Sequence, residues 1–276
     1  MAIVDHAKQA YWTTLREARR LSRRISNKQK PIILKSRGIC PICRVQTQFV
    51  ARDPWLRDHL LCSGCQSIPR ERALMLVLER FFPNWQALTI HESSPGDRGA
   101  STRLAREAPC YIASQFYPDK APGTMVGKVR SENLEALSFA DESIDVHITQ
   151  DVLEHVFRPA DVFREIARTL KPGGAHVFTV PLVNKASATT RRAALNDDGA
   201  VVHLEPPMFH GNPISADGSL VTMDWGFDIA QQIFQACGLY TQMICIDDLS
   251  RGIRAEHIEV LVTMKSNAPV SAIGAA

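Results

Sequence analysis

The sequence predicts an α/β protein, a doubly wound and mostly parallel sheet with a small cysteine-rich lobe on its N-terminal side. Three observations point there. From Ala87 onward, short apolar runs alternate with stretches of helical periodicity, the pattern of strands joined by helical crossovers. Ahead of that region stand two C-x-x-C pairs, Cys40/Cys43 and Cys62/Cys65. The chain has 276 residues and 45% hydrophobic composition, enough for one large domain and a small appendage.

Residues 1–39 hold ten lysines and arginines against two acids, a formal +8 that leaves −5 on the rest of a chain whose net charge is +3. Tyr11, Leu15, Ala18 and Ile25 follow helical spacing among Arg16, Arg19, Arg20, Arg23 and Arg24, so residues 5–27 read as a basic amphipathic helix. Either its apolar stripe packs on the body and the arginines are solvated, or it contacts RNA, a membrane surface or a polyanionic glycan. No apolar run approaches the ~20 residues that a membrane helix needs. The first residues have no stretch resembling a secretion signal, and a cytoplasmic location is expected.

The two cysteine pairs are separated by eighteen residues. Each C-x-x-C can turn two thiolates toward one point, and the spacing reads as a tetrahedral zinc site in a small ribbon, with Thr47–Arg52 as one strand. Four thiolates leave no open coordination position, so the zinc is expected to be structural and to supply much of the lobe's folding energy. Disulfides are the competing reading, and a reducing compartment disfavours them. Cys110, Cys237 and Cys245 read as ordinary core cysteines. Ser67, Pro69 and the apolar series Ala73, Leu74, Leu76, Val77, Leu78, Phe81 and Phe82 predict a capped helix ending at Pro83.

In the body, strands are expected at Leu88–His91, Cys110–Ser114, Ile144–Thr149, Ala175–Val180, Thr241–Ile246 and Glu259–Thr263. Helices are expected at Ser101–Ala108, Pro159–Leu170 and Phe227–Cys237. Glu132 to Val156 reads ENLEALSFADESIDVHITQDVLEHV, and Lys171-Pro-Gly-Gly precedes the strand AHVFTVP at Ala175–Pro181. In order and character these segments resemble the C-terminal half of a class I, type 11-like S-adenosylmethionine-dependent methyltransferase. The resemblance covers roughly Leu88 to Thr263. It implies a Rossmann-like sheet of seven strands, the last antiparallel, and S-adenosylmethionine as cofactor. The expected organisation is a basic helix at 1–32, a zinc lobe at 33–67, a methyltransferase domain at 68–267 and a flexible tail at 268–276.

Ligands of open α/β sheets sit beyond the carboxyl ends of the strands. The first such loop holds Glu92, Ser93, Ser94 and Gly96, where the family usually carries a glycine-rich turn against the methionine part of the cofactor; Glu92 is either a partner of its amino group or an exposed loop acid. Gln115 stands where the family has the acid that accepts from the ribose hydroxyls. Asn133 and the Leu134 amide take the adenine positions, and Gln150 the methionine side. Methyl transfer from a sulfonium is an in-line displacement in which alignment is the protein's main task. A hydroxyl acceptor also calls for a base. His155, at the end of DVLEH, is the first candidate; His203, near Glu205, and His210, in the long insertion from Val183 to Asp224, are the others. His203, Glu205 and His210 also raise a second metal site. The expected acceptor is a hydroxyl of a sugar, glycan or other small polar metabolite. The alternatives are an RNA base, since a zinc lobe before this fold resembles certain ribosomal RNA guanine methyltransferases, and an inactive scaffold.

Overall fold

Alternating exposure along Leu34–Ile39 (β1) and the buried Phe49 and Ala51 on Gln46–Ala51 (β2) build an antiparallel hairpin, to which Leu61–Cys62 (β3) adds a third strand. The computed structural model describes residues 30–211 and 217–267, so the basic helix at 5–27 and the tail at 268–276 lie outside the described residues. A single helical turn, Leu56–His59 (α1), connects β2 to β3.

Pro69–Phe81 (α2) leaves the lobe. Its first turn is fixed by the Glu71 carboxylate, which accepts the Ile68 N–H at 2.9 Å, and not by Ser67. Ser67 instead lies 3.2 Å from the Cys65 sulfur. Arg72, one turn on, is fully buried; it donates to the carbonyls of Ser67, Leu60 (2.7 Å) and Gly252 (3.0 Å) and stacks over Phe49. One guanidinium therefore ties the lobe, the helix and the loop before the last strand together. Ser36 donates to Leu249 O at 3.0 Å, and a Cβ on Gly38 would collide with Ser250 O, so β1 lies directly on the same loop.

The main sheet has eight strands, not seven. Ile90–Ser93 (β4), Tyr111–Gln115 (β5), Met125–Val126 (β6), Val129–Ser131 (β7), Ile144–Gln150 (β8), Leu170–Thr179 (β9), Thr241–Ile244 (β16) and Val260–Met264 (β17) run in the order β16-β17-β9-β8-β4-β5-β7-β6. The addition is β6, which folds back on β7 through Gly127 in the left-handed region. Its two residues are too few to show any period in the sequence. The last strand, β17, is antiparallel to both neighbours. Gly99–Glu107 (α3), Pro159–Thr169 (α4) and Ile229–Cys237 (α5) cover the sheet. Between β9 and α5 the insertion forms short antiparallel pairs: Thr190–Arg191 (β10) with Met223–Asp224 (β15), Ala193–Leu195 (β11) with Val201–His203 (β12), and Phe209–His210 (β13) with Ser219–Leu220 (β14).

Two cores result. One joins Cys40, Phe49, Leu60 and Cys62 of the lobe with α2 and with Val146, Ile148, Val177 and Val260 on one sheet face. The other packs α4, α5 and Trp225 against the opposite face. The lobe thus shares the body's core. Cys110 and Cys245 are exposed and Cys237 half-buried, contrary to the core expectation; Cys110 precedes β5 and Cys245 follows β16, outside the covered strand centres.

The second face carries a row of polar groups. His91, His147 and His176 occupy paired register positions on β4, β8 and β9 and are all buried. Thr169 donates to Glu165 O at 2.8 Å, so it accepts from His147 Nε2 at 2.8 Å. His147 Nδ1 then accepts from His91 Nδ1 at 2.8 Å, and His91 Nε2 accepts from Ser114 at 2.7 Å. Every proton in this chain is accounted for with both imidazoles neutral. Burial pushes His91 and His176 down to about 3 and His147 well below its ordinary value.

Candidate functional site

Gln150, Ser93, Gln115 and Ser131 end four neighbouring parallel strands at one edge of the sheet. From β4 the chain runs outward through β5 to β7 and then crosses to β8 on the other side, so the strand order reverses between β4 and β8. Both central strands leave through a non-glycine residue in the left-handed region, Ser94 (φ 55°) and Asp151 (φ 55°). Such backbone positions cost free energy and concentrate at functional sites.

The first loop is organised by Glu92. Its carboxylate is fully buried and accepts from Ser101 (2.6 Å), Tyr111 (2.7 Å) and Gln150 (2.8 Å). Burial pushes this carboxyl up, against the three donors. Ser101 in turn accepts the Gly96 N–H at 2.9 Å. Glu92 and Gln150 therefore form the wall behind the loop, and their side chains point to each other. Gly99 (φ 61°) is held by α2: a Cβ there would run into the Glu71 carboxylate, which also lies 3.2 Å from Arg98.

The remaining cofactor-side residues lie along the same edge. Ser93 is buried and Ser94 half-buried, with its N–H given to Ser114 O at 2.8 Å. Gln115 is half-buried, and Phe116 after it is exposed. Asn133 accepts the Glu135 N–H at 3.0 Å and shapes the turn beside the buried Leu134.

The lobe reaches this edge too. Arg57 of α1 and Arg70 of α2 lie 2.8 Å and 3.0 Å from the same Asp151 oxygen, and Thr179 donates to the other at 3.0 Å. Burial opposes the charge of Asp151, but Arg70 and Arg57 outweigh it and hold the carboxyl down at about 2. Asp151 is thus a clamp between lobe and sheet. The chain after it makes a single 3₁₀ turn, Leu153–His155.

That turn and β13 bring His155 and His210 together, rings 5.2 Å apart and perpendicular, next to the buried Glu154. Glu154 beside it raises His210 above its ordinary value, against burial. His203 is exposed on β12 and stands apart, as does Glu205. Sequence reasoning treated Glu154 as part of the DVLEH signature and missed it as a site residue; its spacing to His155 is no signal, and His210 is 56 positions away in the chain.

The four lobe cysteines converge, with sulfur–sulfur distances of 3.7 Å (Cys40–Cys65) and 3.8 Å (Cys43–Cys62) and all four within 4.8 Å of one another. A disulfide would need ~2.05 Å. A tetrahedron with ~2.3 Å metal–sulfur bonds has edges of about 3.8 Å. The two knuckles share one design. Arg44 N–H bonds to Cys40 O (2.8 Å) and Gln66 N–H to Cys62 O (2.9 Å), each from a left-handed residue. The donor set fits a tetrahedral, thiophilic ion.

Residues 107–178, from the end of α3 to β9, match the family described as methyltransferase domain. A dimethylglycine N-methyltransferase of Parasynechococcus marenigrum is 32% identical over 123 residues, 41% of this chain. The chain spans 44% of the length of that relative. Among solved structures, an S-adenosylmethionine-dependent methyltransferase from Mesorhizobium loti aligns over 69% of this chain and 96% of its own, at 18% identity and a TM-score of 0.44. The 1,6-didemethyltoxoflavin N1-methyltransferase of Burkholderia thailandensis aligns over 71% and 78%, at 12% identity and a TM-score of 0.41. No helix among the described residues is long and apolar enough to cross a membrane.

Proposed function

We propose that the chain transfers the methyl group of S-adenosylmethionine to a hydroxyl of a small polar acceptor such as a sugar, a glycan or another polyhydroxylated metabolite. The observation that carries this reading is the row of polar strand ends on both sides of the strand-order reversal, within and beside a matched methyltransferase domain. In it, Ser93, Ser94 and Gly96 line the methionine part, the Gln115 amide oxygen accepts from the ribose, and Asn133 with the Leu134 amide serves the adenine. Glu92 and Gln150 act from behind, through Ser101, by fixing the loop.

Glu154, His155 and His210 are the acceptor-side groups of this reading. An amine acceptor can be methylated as its free base, whereas a hydroxyl benefits from a group that takes or weakens its proton. Imidazoles at the strand ends favour the hydroxyl. The lobe's role is a structural zinc at Cys40, Cys43, Cys62 and Cys65, which holds α1 and α2 against Asp151 and the first loop.

Calorimetric titration with S-adenosylmethionine and with its demethylated product tests the cofactor half. Binding in the micromolar range is expected, and absence of heat at high micromolar ligand would discard it. On the acceptor side, His155→Ala is expected to lower turnover at least ~100-fold, in the range of a lost acid–base group, with cofactor affinity within about threefold. Equal losses in both would remove His155 from that role.

A further inference from the structure

Glu154 is 2% exposed, and neither of its carboxylate oxygens has a hydrogen-bond partner among the described residues. A buried carboxylate left in that state is costly. Its nearest charged or chargeable neighbours are His155 Nε2 at 3.8 Å and His210 Nδ1 at 3.7 Å, both measured to the same oxygen, Oε1. Neither distance is a hydrogen bond.

The orientation of His155 sharpens the problem. Its Nδ1 lies 2.8 Å from the Leu220 carbonyl oxygen, which can only accept. The Nδ1 position therefore carries the proton, and in the neutral ring Nε2 presents a lone pair. That lone pair lies 3.8 Å from a carboxylate oxygen. Two electron-rich atoms so placed call for a positive charge between them.

The hairpin that completes the cluster is built to hold it. β13 supplies His210, and its register partner strand β14 supplies the Leu220 carbonyl that orients His155. Two residues further, Thr222 gives its N–H to the Glu154 carbonyl (2.8 Å) and its hydroxyl to the Val156 carbonyl (2.6 Å), pinning the turn that carries both Glu154 and His155. An imidazole that donates its far N–H to a backbone carbonyl is the usual outer support of a metal-binding histidine. Ligand atoms on an ion with ~2.1 Å bonds stand about 3.0–3.4 Å apart. The 3.7–3.8 Å gaps need to close only slightly, and all three ligand atoms already lie within 4.8 Å of one another.

We propose that Glu154 Oε1, His155 Nε2 and His210 Nδ1 bind a divalent transition-metal ion, a second metal centre distinct from the four-cysteine lobe. Two imidazoles and one carboxylate suit Zn²⁺ and its first-row neighbours better than Mg²⁺ or Ca²⁺. Three protein ligands leave at least one position open, unlike the closed thiolate site, and an oxygen donor such as water, a hydroxyl or a carboxylate fits there. The site occupies the acceptor-side cluster of the proposed function, where His155 and His210 would then act on the acceptor through the ion and not as free bases; metal binding itself does not depend on methyl transfer.

Zn²⁺ is the probe. Elemental analysis after equilibrium dialysis, with affinity read by competition against a chromophoric chelator, is expected to give two Zn²⁺ per chain. His210→Ala is expected to weaken the second ion at least ~100-fold, the upper end of what even an outer-sphere loss produces. Its side chain is 41% exposed on a two-residue strand, so the fold should tolerate the change. Glu154→Gln, similar in volume and uncharged, should do the same without lowering the melting temperature of metal-stripped protein. Cys43→Ser should remove the other ion and leave this one. A single Zn²⁺ per chain, or a second one whose affinity moves less than ~10-fold in both Glu154→Gln and His210→Ala, overturns the proposal. Cofactor calorimetry on the same samples keeps the two failures apart, because two zinc ions without cofactor binding would sink the methyltransferase reading and leave the metal site standing.

Discussion

Acidification should destabilise this protein well before its surface carboxylates titrate, and the histidine row across β4, β8 and β9 sets the size of the effect. His91 and His176 are held down at about 3, and His147 well below the ordinary value, while the unfolded chain returns each to about 6.5. Between those limits the unfolded state binds more protons than the native one, so stability is full above pH ~6.5 and falls as pH drops toward the folded values. Going from pH 7 to pH 5, each such histidine costs about 2 kcal/mol, and the result does not depend on how far below 5 the folded value lies. Three together cost roughly 5–6 kcal/mol, a large part of a typical domain's stability. Glu92 works in the opposite sense, since a carboxyl pushed up by burial gains stability as pH falls, and it offsets part of the loss. The assay is urea or thermal denaturation at pH 7, 6 and 5, with a melting decrease of roughly 10–20 °C expected over that range. His147→Gln keeps a donor for Thr169 and an acceptor for His91 but cannot titrate, and should shrink the pH-dependent loss by about one third. Any acid sensitivity of the thiolate site is common to both proteins and cancels. Equal pH dependence in the two would refute the neutral-imidazole account.

Two further predictions concern the lobe and the loop it touches. Cys62→Ser should abolish zinc retention in the lobe and lower melting by at least ~10 °C, since removal of a structural ion costs several kcal/mol; unchanged melting would end the structural-zinc reading. Gly99→Ala should cost about 1–3 kcal/mol and weaken S-adenosylmethionine binding, because the left-handed backbone is strained by a Cβ and the Glu71 carboxylate must move away. Wild-type affinity in that variant would show that the Gly96–Gly99 loop takes no part in the crevice.

Much of the body was legible because its central strands β4, β8, β9 and β17 are largely buried, so mostly apolar runs such as Ile144–Thr149 stand out against the glycines and prolines between them. The thiolate cluster was legible because metal-ligand spacing is local in each knuckle. What stayed hidden depends on contacts between distant segments. Nothing in the sequence sets His91, His147 and His176 at one register, because strand pairing decides it. Ser67 looks like a cap but serves the sulfur atoms, while Glu71 does the capping from inside the helix. Asp151 pairs with arginines more than eighty residues upstream. Glu154 meets His210 only because β13 and β14 fold back over the turn after β8.

The lobe's arginines also bear on how the chain can be divided. A fragment beginning at residue 68 would keep Arg70 but lose Arg57, and it would strip Phe49 and Leu60 from an otherwise continuous interior. Asp151 would keep one counter-charge of two, at the rim where the two central strands end. Cysteine-rich lobe and main sheet therefore have to be inherited, expressed and engineered as one piece, and grafting either onto a foreign partner would mean rebuilding the seam first.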